Sequence, residues 1–147
     1  MDIAGVDDKV KLIGHQIRGV TLMRLNRIHQ LAVYARELDD AIEFYRDKLG
    51  ATFIAKFDPP GLAFFDFSGT RLLLEKTGPK VTLYFRVDDI EAAHAELLER
   101  GVKFIQGPHL IFRDETGTFG DAGEEEWMAF FQDPSENTLA LATRKKA

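Results

Sequence analysis

A chain of 147 residues, 45% of them apolar, carries a net charge of −5 and has no cysteine. One compact domain of that length buries about 70% of the surface its unfolded chain would expose, and the missing thiols exclude disulfides, thiolate metal centres and cysteine nucleophiles. The acidic balance argues against a nucleic-acid partner, which demands a basic face, and no apolar run reaches the roughly 18 residues that span a bilayer.

In chain order, Asp2, Asp7, Asp8, Lys9 and Lys11 interrupt the apolar core that an export signal needs, so a cytoplasmic location is expected. Residues 1–26 read as an N-terminal extension, and His15 within it carries no signal. Arg27–Ala35 alternates Leu31, Val33 and Ala35 with Gln30, Ala32 and Tyr34, which predicts a strand. The period then turns helical. Leu38, Ala41, Ile42, Tyr45 and Leu49 share a stripe, Asp39 and Asp40 suit the positive helix start, and Gly50 suits its end. Strands are predicted near 51–57, 62–67 and 71–76, separated by Pro59-Pro60-Gly61 and Ser68-Gly69.

From Val81 the same order returns, as a strand, a helix with Ile90, Ala93, Leu97 and Leu98 inward, Gly101, and further strands. The chain is therefore an internal repeat of βαβββ units, 27–78 and 79–143, and the fold class is α+β. Leu38 and Ile90 stand 52 positions apart while Phe64-Phe65 and Phe130-Phe131 stand 66 apart, so 14 extra residues must lie between. The glycine-rich, acidic stretch 107–125 is predicted to hold them as a long loop, either solvated or a lid that folds Leu110, Ile111, Phe112 and Phe119 over a cavity. Arg144, Lys145 and Lys146 read as a solvated basic tail, 144–147.

Standard motif chemistry is missing. Ser68 and Ser135, the only serines, sit in turn contexts, which argues against a serine hydrolase, and there is no phosphate loop, HExxH or calcium loop. His29, beside its strand, reads as paired to a neighbour or half exposed, and His94 as helix surface. Trp127 is as well suited to the core or a dimer contact as to stacking on a ligand.

The order βαβββ–βαβββ, with LDDAIEFYRDKLGA, VDDIEAAHAELLERGVKF and the closing FFQDPSENTLAL, resembles the vicinal oxygen chelate superfamily, which includes glyoxalase I, extradiol dioxygenases and bleomycin-resistance proteins. GPHLI followed by EWMAFFQDPSEN is similar to a bacterial glyoxalase-like subgroup, mostly without an assigned reaction. The resemblance implies a curled eight-stranded sheet around a cavity, a homodimer, and a small organic ligand. It also implies four cavity-facing positions that hold a divalent metal in the family's enzymes. Here these fall on Gln30, Leu73, Thr82 and Ala140, of which only Gln30 has a suitable side chain, so no metal or other cofactor is expected. Strand alternation adds Glu75, Tyr84 and Met128 to the cavity face, and the returning chain brings His109 and Glu126 to its mouth. The resemblance thus leaves two functions open. One is a binding protein of the bleomycin-resistance kind with a degenerate metal site. The other is a glyoxalase-like lyase or isomerase acting on a small carbonyl or diol, with His109 or Glu75 as base.

Overall fold

The computed structural model of the chain describes residues 16–17, 20–21 and 23–147. Two short paired strands, β1 (Gln16–Ile17) and β2 (Val20–Thr21), precede the repeat. His15 and most of the segment on which the leader expectation rests fall outside the described residues. The first unit is β3 (Gln30–Tyr34), α1 (Leu38–Glu43) running into a π-helical stretch at Phe44–Lys48, β4 (Thr52–Phe57), β5 (Leu62–Phe67) and β6 (Thr70–Glu75). The second is β7 (Thr82–Arg86), α2 (Ile90–Glu99), β8 (Phe104–Asp114), β9 (Glu124–Gln132) and β10 (Thr138–Lys146). Gly50 and Gly101 end the two helical segments with φ of 75° and 88°, a left-handed turn that side chains resist. Asp89 caps α2 by accepting from the Ala92 amide at 3.0 Å. No helix among the described residues is long and apolar enough to cross a membrane.

Each unit forms its own four-stranded mixed sheet, ordered β3-β6-β5-β4 and β7-β10-β9-β8, with the first and last strands parallel. The α+β fold of paired βαβββ units is as the repeat implies. The sheets are curled and not closed into a single eight-stranded wall. Their helix-side faces meet in one core: Val33, Phe65 and Leu74 of the first sheet join Ala129, Phe131 and Leu139 of the second, with Ala41, Tyr45, Ile90 and Leu97 from the helical segments. Phe67 and Phe85 pack across the seam with ring centres 5.7 Å apart. Leu98, expected inward, is 49% exposed, because eight residues on from Ile90 it has rotated off the stripe that Leu97 occupies.

Two expectations are corrected. The stretch 107–125 is not one long loop, since β8 runs to Asp114 and β9 begins at Glu124. The extra residues lengthen a hairpin, and Gly107-Pro108 falls at a register shift between the paired positions Gln106 and His109, where an edge strand tolerates proline. Only its tip resembles a loop, and Phe119 there packs edge-on against Phe112 at 5.9 Å. Nor is Arg144 part of a solvated tail. It lies in β10 with its side chain 8% exposed, bonded to Asp114 at 2.9 Å and Glu124 at 3.0 Å, while the Asp114 carboxylate accepts the Thr118 and Phe119 amides at 2.8 Å each.

Candidate functional site

Strand alternation gives each sheet a second face, turned away from the shared core, and the register fixes its rows. On the first sheet the rows are Gln30–Arg71–Asp66, Ala32–Leu73–Phe64 and Tyr34–Glu75–Leu62. On the second they are Thr82–Thr138–Gln132, Tyr84–Ala140–Phe130, Arg86–Ala142–Met128–His109 and Arg144–Glu126–Phe112. Leu73 and Ala140 therefore occupy equivalent points, each opposite the first phenylalanine of its Phe pair. The structure groups Gln30, Leu73 and Glu75 on one outer face and Thr82, Tyr84, Ala140, Met128, Glu126 and His109 on the other. It does not bring the two groups together. The apolar sides of both sheets, with their helices, fill the space between them, so a single chain does not form the shared cavity that the repeat implied.

Leu73 and Ala140 are floor positions, 9% and 0% exposed, whereas Tyr84 stands 59% exposed beside them. The Gln30 side-chain oxygen accepts from Arg71 Nε at 2.9 Å, and Arg71 Nη2 lies 3.2 Å from His29 Nε2. A guanidinium only donates, so His29 accepts there and carries its proton on Nδ1. Arg71 also lies over the Phe64 ring, 5.5 Å from its centre. On the second sheet, His109 Nδ1 donates to the Gly107 carbonyl at 2.8 Å, its ring lies 5.9 Å from that of Phe130, and Glu126 lies 3.7 Å from Arg144 Nη1. Glu75 accepts from the Thr77 hydroxyl at 3.3 Å. His94 is half-buried rather than free on the helix surface, its ring edge-on to Phe104 at 4.4 Å. Trp127 packs against the core, donates to Glu125 at 3.0 Å and lies under the Lys145 ammonium at 4.1 Å.

These residues do not fit the family's divalent ion. Leu73 and Ala140 offer hydrocarbon, Thr82 a neutral hydroxyl, and the one amide oxygen, on Gln30, already accepts from a cation that would repel a second one. Among the described residues, no three His, Asp or Glu side chains converge on a point suited to a metal. Arg71 is the residue the sequence reading missed. Its signal was its place two residues before Leu73, hence on the same face, directly across from Gln30.

The seam between the sheets leaves a cleft of about 280 Å³ walled by Ile28, Leu31, Leu72, Leu83 and Tyr84 and bordered by Arg71. Beyond the Phe67–Phe85 pair lies a second apolar cleft of about 230 Å³, which includes Val87, Leu97 and Leu141.

The profile of the Glyoxalase/Bleomycin resistance protein/Dioxygenase superfamily matches residues 27–141. The chain belongs to this superfamily. No curated protein matches it. Among solved structures, it is similar to a lactoylglutathione lyase from Agrobacterium tumefaciens (TM-score 0.64, 21% identity, covering 82% of this chain and 95% of that one). It is also similar to TnmS3, an antibiotic binding protein from Streptomyces sp. CB03234 (TM-score 0.65, 23% identity, 82% and 98%). A third similar structure is a glyoxalase/bleomycin resistance protein/dioxygenase from Alicyclobacillus acidocaldarius (TM-score 0.60, 26% identity, 82% and 94%).

Proposed function

We propose that this superfamily member is a metal-free, small-molecule-binding protein that holds an organic ligand on the outer faces of its sheets and acts as a homodimer. One observation carries the proposal. Each outer face has an apolar floor (Leu73 and Phe64 on one, Ala140 and Phe130 on the other) with a few polar groups around it, the usual make-up of a small-molecule site, while of the four positions aligned with a metal two are hydrocarbon, one is a neutral hydroxyl and the Gln30 oxygen is taken by Arg71. The likeness to an antibiotic binding protein is consistent with that use. Because the two faces point away from each other within one chain, a second copy is the simplest source of the missing wall, through a two-fold, self-complementary contact. Thermal-shift screening against metabolites and antibiotics tests the binding, since a ligand held only by the native state raises the melting temperature. Light scattering tests the dimer. A melting temperature unmoved by every compound, or a strictly monomeric species, contradicts the proposal.

A second reading, a glyoxalase-like lyase or isomerase on a small carbonyl or diol, is favoured by one contact. The Gly107 carbonyl holds the His109 proton on Nδ1, which leaves Nε2 with its lone pair free to accept a proton. Turnover of the methylglyoxal–glutathione adduct, lost in His109→Gln, would establish that reading in place of simple binding.

A further inference from the structure

The first sheet presents a positive charge at the row where the resemblance would place a metal ligand. Arg71 uses Nε on Gln30 and one Nη2 hydrogen on His29, so two of its five donors are engaged by neutral partners, and among the described residues no carboxylate pairs with it. The remaining Nη1 and Nη2 hydrogens form the end fork of the guanidinium, the edge that matches a carboxylate with two parallel hydrogen bonds. Gln30, His29 and the Phe64 ring hold the side chain in one orientation, so little of its freedom is left to lose when a ligand binds. The adjoining seam cleft of about 280 Å³ is mainly apolar, with Thr70 and Tyr84 as its other polar-bearing residues, and Arg71 is the one charged residue among the described residues lining it. Asp66, its row neighbour, is directed to the Gly69 amide at 3.0 Å.

We propose that Arg71 is an anion anchor: the ligand is an organic carboxylate whose charged end docks on the guanidinium at the rim of the first sheet's outer face and whose apolar body passes from that face into the adjoining seam cleft walled by Ile28, Leu31, Leu83 and Tyr84. Arg71 is opposite in sign to the net −5 of the chain; its register neighbour Asp66 offsets part of the guanidinium's charge, while carboxylates farther than about 8 Å are screened at physiological salt. The proposal rests on the metal-free binding reading, because a dication at Gln30 would displace Arg71 from its partner.

The probes are 2-naphthoate and its uncharged counterpart 2-naphthamide, titrated calorimetrically into the full chain. The naphthoate is expected to bind at least tenfold more tightly than the amide. Arg71→Met should erase that preference, bringing the two probes to equal affinity, and Arg71→Lys should keep part of it. Amide signals of Thr70–Leu72 and Leu83–Phe85 should shift on binding. Equal affinity for the two probes, a preference that survives Arg71→Met, or no binding of either at millimolar concentration overturns the anchor. In the first of these cases the binding reading stands without it. Stoichiometric divalent metal retained at Gln30 overturns the binding reading itself and the anchor with it.

Discussion

The hydroxyl of Tyr45 donates to Asp133 Oδ2 at 2.8 Å, joining the helical segment of the first unit to the closing turn of the second across 88 residues of sequence. Asp133 also accepts the Ser135 and Asn137 amides at 2.9 Å each, and Asn137 Nδ2 donates both to Asp133 at 2.8 Å and to the Tyr34 carbonyl at 2.7 Å. Asn137 Oδ1 accepts the Val81 amide at 2.9 Å, and Ser135 Oγ accepts the Arg36 amide at 2.8 Å. The Asp-Pro-Ser-Glu-Asn turn is therefore a buried clasp that fixes how the two sheets sit against each other. A fully satisfied polar network of this kind resists piecemeal removal.

Tyr45→Phe leaves Asp133 with its other donors and should cost about 1 kcal/mol, or roughly 3 °C in Tm. Asn137→Ala orphans the Val81 amide and the Tyr34 carbonyl and takes from Asp133 Oδ2 one of its two donors, leaving it the Tyr45 hydroxyl, and should cost about 3 kcal/mol. Urea unfolding of the two variants measures both. Equal small losses would show that the clasp is not cooperative.

Burial, with Asp133 beside it, holds the Tyr45 hydroxyl far above the ordinary tyrosine range. The folded state therefore keeps a proton that the unfolded state gives up above about pH 10, so this group's contribution to stability is complete below that pH and declines as pH rises beyond it. Phenolate absorbance should show Tyr45 titrating only as the chain unfolds, and Tyr45→Phe should flatten the alkaline fall in Tm. Reversible ionisation of all three tyrosines in the folded protein would contradict this.

Arg144 is, among the described residues, the guanidinium that pairs with a nearly buried set of carboxylates, Asp114, Glu124 and Glu126. Hydrogen bonds from the Phe119 and Thr118 amides, followed by Arg144, hold the Asp114 carboxyl below its usual value despite opposing desolvation. Its contribution is present above the ordinary aspartate pKa and is lost as pH falls through the lower folded value. Arg144→Met should lower Tm clearly at pH 7, where it leaves carboxylates unpaired, and much less near pH 3. It should also speed hydrogen exchange of the Thr118 and Phe119 amides. A Tm loss independent of pH would assign Arg144 a packing role only.

Gly78 passes so close to β3 that an added Cβ would sit 2.7 Å from the Val33 carbonyl carbon and 2.8 Å from its oxygen. Backbone cannot yield as a side chain does, so Gly78→Ala should cost about 1–3 kcal/mol and disturb the Tyr34 to Pro79 hydrogen bond, which is 2.8 Å here. Equilibrium unfolding with an amide-exchange readout at Tyr34 checks both effects.

The repeat was legible because hydrophobic period and helix-ending glycines are local signals, and the matched Phe pairs located Leu73 and Ala140 at equivalent points. Alternation also tells which residues share a face, and the register puts Gln30, Leu73 and Glu75 on the same side of the first sheet. It cannot tell what lies across from that face, which is why a shared cavity was expected where the structure has two outward faces. Residues 107–114 were hidden as a strand because Gly107-Pro108 resembles a loop until an edge strand with register shifts absorbs it. Arg144 looked like a tail because its partners, Asp114 and Glu124, are distant in sequence. Arg71 went unnoticed because strand pairing, not sequence spacing, brings it to Gln30.

Native mass spectrometry of the protein, purified in the presence of nickel, zinc, manganese and iron and then exchanged into volatile buffer, tests the central claim most directly. A dimer of two 16.6 kDa chains that carries no metal and takes up an organic compound from a library is the expected result. One tightly held metal per chain, or a monomer that takes up nothing, would contradict it.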